Sequence, residues 1–98
     1  MNDFSCSIEG TSLILNGEVN IETVGKTFIK FNKNSAKYTK QKVSEIDCGK
    51  IKNADSSCLA FLVYLQTVYQ DLVYVNLPTH LILLVELYDL KHVIKLKL

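Results

Sequence analysis

Ninety-eight residues at 48% hydrophobic content can bury a core without staples but leave no room for a second one, so a single domain over residues 1–98 is expected. The net charge is only +1 and arginine is absent, which removes the planar fork that sequence-specific nucleic-acid recognition favours, so no nucleic-acid partner is expected. Three cysteines without a C-x-x-C pair, an acidic start lacking a signal peptide's positive head, and a longest apolar run ("LAFLVYL") far below the roughly 20 residues of a membrane span together point to a reducing, cytoplasmic setting.

Phe4, Cys6 and Ile8 alternate with Ser5 and Ser7, the pattern of a half-buried strand. "TSLILNGEVN" follows Gly10 as a second strand, and the two form a hairpin. From Thr23 to Tyr38 the period becomes helical, with Val24, Phe28, Phe31 and Tyr38 on one side and Lys26, Lys30, Lys33 and Lys37 opposite. Thr23 is the candidate N-cap. The lysine stripe is either a solvated face or a contact for an acidic partner or membrane surface.

"KVSEIDC" reads as the next strand, Ile46 and Cys48 on one face and Val43 on the other. A helix from about Ser56 to Gln70 is followed by a strand in "DLVYVNLP" that stops at Pro78, the only proline. "THLILLVELYDL" is a third helix capped by Thr79, and "HVIKLKL" a last edge strand whose lysines discourage edge pairing. The fold class is therefore α/β, a mixed, mainly parallel sheet with crossover helices in the order β-β-α-β-α-β-α-β.

Few residues carry recognisable chemistry. "NIETVGKT" (20–27) matches the end of a phosphate-binding loop, but Asn20 stands where its first glycine belongs and Glu18 and Glu22 repel phosphate, so a helix start is expected instead. Ser56 and Ser57 lack the glycines of a nucleophile elbow, and His80 and His92 have no neighbour that would complete a triad or a metal site; no catalysis, cofactor or metal is expected. Cys58 at a helix start is a small packing residue or, alternatively, a reactive thiol.

The second helix is apolar nearly all round. Phe61, Leu62, Leu65, Val68 and Tyr69 form the heavier side, and Ser56, Leu59, Val63, Gln66, Thr67 and Gln70 the other. That uncharged stripe means either a helix sandwiched within the core or one that meets another protein.

"EIDCGKIKNADSSCLAFLVYL" resembles the signature of the STAS domain family, in which a strand ending in aspartate leads to an Asp-Ser/Thr pair and a helix. "NGEVN" (16–20) is similar to the Gly-Glu element closing that family's second strand, and "LVELYDLKHVIKL" to its closing segment, so the resemblance spans nearly the whole chain. It implies a STAS fold and a non-catalytic interaction module.

Two roles follow from the resemblance. In the MlaB-like branch, a stand-alone STAS domain binds and supports the ATPase of an ABC-type phospholipid transporter that maintains outer-membrane lipid asymmetry. In anti-sigma-factor antagonists, a partner kinase phosphorylates the hydroxyl after the aspartate, here Ser56. The short chain end, the "LYDL…VIKL" segment, and Cys58 in place of the antagonists' glycine favour the transporter branch, with the protein at the inner face of the inner membrane through its partner. The implied contact surface comprises Asp55, Ser56, Ser57, Leu59, Val63, Gln66 and Gln70.

Overall fold

A computed structural model describes residues 4–33, 42–69 and 71–97. Five strands, β1 (Ser5–Glu9), β2 (Ser12–Glu18), β3 (Glu45–Lys52), β4 (Val73–Val75) and β5 (Leu96–Lys97), form one sheet in the order β1-β2-β3-β4-β5. Between them run α1 (Ile21–Lys33), α2 (Ser56–Val68) and α3 (Thr79–Leu87). The chain is thus α/β with the elements in the order β-β-α-β-α-β-α-β. β1 is antiparallel to β2, and every later pair is parallel. Among the described residues no helix is long and apolar enough to cross a membrane.

The hairpin register pairs Glu9 with Ser12, which leaves two turn residues, and Gly10 takes a φ of 62° at the first of them. A side chain there would be strained, so glycine fits this position. The loops leaving β3 and β4 each turn through an asparagine at positive φ, Asn53 at 49° and Asn76 at 58°. Asparagine tolerates this left-handed region better than most residues.

The sheet has two unlike faces. Leu13, Leu15, Ile46, Cys48 and Tyr74 are fully buried and join the helices in one core. The register row Ser7, Ile14, Asp47, Val75 and Lys97 crosses the other face, where only Ile14 falls among the buried residues. All three helices therefore cover one side, as successive crossovers of one hand stepping in one direction require.

α2 is the centre of that layer. Phe61, Leu62 and Leu65 have no exposed surface. Phe61 meets the rings of Phe4 and Phe28 edge-on, each with centroids 5.3 Å apart, which joins the start of β1 and α1 to α2. Tyr74 ties the sheet to the same helix, its hydroxyl donating to the Leu62 carbonyl at 2.7 Å. Burial pushes that phenol's pKa well above its ordinary value.

Several local expectations are corrected. Helix α1 begins at Ile21 and is capped by Asn20, not by Thr23. The Asn20 side chain accepts from the amides of Glu22 and Thr23, while the Thr23 hydroxyl accepts from the Asn20 amide at 3.0 Å, a reciprocal capping box. The expected continuation of this helix to Tyr38 lies outside the described residues. Val43 precedes β3 and packs in the core rather than on the opposite face. Thr79 is the first residue of α3, after Pro78. Residues 20–27 are helical from Ile21 onward, and no phosphate loop forms there.

Tyr74→Phe removes one buried hydroxyl bond and is expected to cost about 1 kcal/mol, a fall of roughly 4–8 °C in Tm at this size. Thermal unfolding followed by circular dichroism checks it; an unchanged Tm would mean that the sheet-to-helix tie contributes nothing net.

Candidate functional site

Because β2, β3 and β4 are parallel and each feeds a helix, the N-termini of α1, α2 and α3 gather at the carboxyl end of the sheet. The loops there are stitched together. The Asp55 amide donates to the Val19 carbonyl at 3.1 Å, the Asn53 side-chain amide reaches Glu18 at 3.4 Å, and the His80 Nε2 lies 2.9 Å from the Ala54 carbonyl. The donor in this last contact is the imidazole N–H, since a carbonyl only accepts.

Asp55 is the N-cap of α2. Its carboxylate accepts from the Ser57 amide at 2.9 Å and from the Ser57 hydroxyl, and the Ile21 amide also acts on it. One carboxylate thus serves the first turns of two helices, where unpaired amides and the helix dipole favour negative charge. The Ser57 hydroxyl is the largest influence holding this carboxyl below its ordinary value; burial opposes it, and the backbone amides add to the lowering.

The two serines therefore differ. Ser57 is half-buried and its hydroxyl is committed to Asp55. Ser56 is exposed, and its hydroxyl makes no hydrogen bond to another described residue. Cys58 has no exposed surface, and burial, with a contribution from the Asp55 charge, pushes its thiol up to about 12. It is a packing residue rather than a thiolate nucleophile. Its side chain is buried in the core, so it does not obstruct an approach to Ser56.

The expected outer stripe of α2 is corrected in part. Leu59 is only 3% exposed and belongs to the core. Val63 is half-buried against that core. Gln66 is an internal tie, its amide donating to the Val93 carbonyl at 2.8 Å beyond α3. Gln70 lies outside the described residues. The exposed positions are Ser56, Ala60 and Thr67, with Tyr64 half-buried beside them, its ring tilted at 49° against Phe28 of α1 with centroids 4.5 Å apart.

His80 and Asn20 belong to this end of the molecule and were not singled out for it from the sequence. Asn20 could have been found as the first half of an Asn-x-x-Thr capping box. The His80 contact spans 26 residues, and no local signal announces it. Neither a scan against protein-family models nor a search of curated proteins finds a match to this chain.

Asp55→Ala is expected to lower stability by about 1 kcal/mol through loss of the cap. The charge itself acts with a definite sign. With its folded pKa below the unfolded value of about 3.9, Asp55 stabilises above that pH, and the contribution is lost as pH falls through the folded value. Melting temperatures of wild type and Asp55→Asn should therefore converge at pH below the ordinary carboxylate range; a gap that persists there would assign the effect to shape alone.

Leu59→Ala is expected to cost about 2–5 kcal/mol as a core truncation. Denaturant titration reads this directly, and a loss under 1 kcal/mol would return Leu59 to the surface.

Proposed function

We propose that this protein is a STAS-type interaction module that presents Ser56 and the first turn of α2 to a protein partner, without catalysing a reaction. The observation that carries this reading is the exposed Ser56 hydroxyl, held at a helix start by the Asp55 cap while its neighbour Ser57 is turned away into that cap. The strand-loop-helix in which "IDCGKIKNADSSC" runs from β3 into α2 supports the resemblance, as does the order β-β-α-β-α-β-α-β.

The partner in this proposal is the ATPase subunit of an Mla-type ABC phospholipid transporter, which the protein binds and supports at the inner face of the inner membrane. Asp55, Ser56 and Ser57 supply the polar centre of the contact. Val63, Ala60 and Thr67 continue it along the helix, while Leu59 and Gln66 act from beneath by fixing where α2 sits. A small, uncharged strip of this kind lets a partner backbone or apolar side chain approach closely.

The second reading is an anti-sigma-factor antagonist switched by phosphorylation of Ser56. It is favoured by the accessible hydroxyl and by the inward-facing Cys58. A phosphate there brings a charge of about −2 beside Asp55. The helix N-terminus favours it, whereas the carboxylate repels it.

Co-purification from detergent-solubilised native cells, with bound proteins identified by mass spectrometry, separates the two readings. An ABC ATPase with its permease is expected, and a small kinase-like ATPase or a sigma factor would establish the second reading instead. Ser56→Glu is expected to weaken partner binding at least tenfold while leaving the circular dichroism spectrum unchanged. Undiminished binding by that variant would remove Ser56 from the contact.

A further inference from the structure

Helix α3 turns two faces outward that complement each other. On one, Leu83 is 59% and Leu87 73% exposed, with Tyr88 at 53% just past the helix end. On the adjoining face lies an open groove of about 300 Å³, walled by Ile82, Val85, Ile94 and Leu96, with Glu86 and Lys91 at its rim. Isolated exposed leucines need no explanation, but three large apolar side chains within six residues form a contiguous patch.

We propose that this patch is covered by a second copy of the same chain, Leu83 and Leu87 of each copy entering the groove beside Ile82 and Leu96 of the other. A two-fold contact requires a surface that contains its own complement. Here the projecting side chains and the hollow that accepts them lie on neighbouring faces of one helix.

Charge agrees with this occupant. Among the described residues, the groove rim carries one acid and one base, Glu86 and Lys91, 3.9 Å apart and both well exposed. The rim is neutral as a whole, so a copy meets no net repulsion from itself, whereas a strongly acidic or basic partner gains nothing there.

Area agrees as well. At about 200 Å² for each side chain fully exposed, Leu83, Leu87 and Tyr88 present roughly 370 Å² per chain. Doubled by symmetry, and with half-buried Ile82 and Leu84 and the charged rim added, the buried total reaches about 1,000 Å², the lower end of specific interfaces. The expected dimer is therefore a weak one. This surface is distinct from Ser56, and the inference does not depend on the function proposed above.

Sedimentation equilibrium of the purified chain tests it. At a protein concentration on the order of 100 µM, wild type is expected to approach twice the 11.1 kDa of one chain. The double variant Leu83→Glu/Leu87→Glu is expected to associate at least tenfold more weakly, with an unaltered circular dichroism spectrum. Tyr88→Lys serves in its place if that variant fails to fold. Ile29→Glu, at an exposed apolar position on α1, is expected to leave the dimer intact. A wild type that stays at one-chain mass overturns the proposal, as does a dimer that survives both α3 variants. Single-chain protein that instead co-sediments with phosphatidylglycerol vesicles, and loses this in the double variant, overturns it in favour of lipid.

Discussion

Burial of α2 is the constraint on which the rest of the molecule depends. The helix has sheet beneath it, α1 on one flank and the segment after α3 on the other, and these contacts take up most of its circumference. Phe61, Leu62 and Leu65 fill the core outright, and Gln66 and Tyr74 satisfy their polar atoms within the same layer. Polar groups enclosed this way hold position only when they are paired, and no described buried side-chain nitrogen or oxygen is left without a partner. What stays outside is a narrow strip beginning at Ser56.

That strip gains its definition from electrostatics at one end. The carboxyl ends of three parallel strands bring helix N-termini together, and the positive ends of the helix dipoles meet there. Asp55 places a carboxylate there, accepting from the Ser57 amide and hydroxyl at the start of α2. The site is therefore not an open anion hole but one already occupied by a side chain. A ligand or modification that brings negative charge must contend with that carboxylate, and a partner offering donors to Ser56 need not.

The strands were legible in the sequence because one sheet face is buried and the other polar, which imprints alternation on Phe4–Ile8 and on the run from Ile46 to Cys48. Of the three helices, α1 was legible for the same reason, with Lys26 exposed on its outer side. α2 was legible only as an element, without orientation. A helix buried on three sides has no strong periodicity to show, so Leu59 and Ala60 could not be ranked by position alone; the neighbours that bury Leu59 are set by tertiary packing. Gln66 reads as part of the outer stripe because glutamine is usually wet, yet its partner carbonyl is 27 residues away. Cap positions slipped by a few residues at Thr23 because both members of a capping box are cap-forming residues.

The order of strands across the sheet is also their order along the chain. Each strand after the first pairs with the strand immediately before it in the chain, although Ser12 of β2 meets Glu45 of β3 across 33 residues. Each parallel pair must nevertheless close a crossover loop before it gains its contacts, so these pairings form more slowly than the hairpin. During synthesis the sheet can extend one strand at a time from the amino-terminal hairpin, with α1 and α2 docking as their crossovers emerge. The two-residue β5 comes last, and it completes an edge rather than a centre.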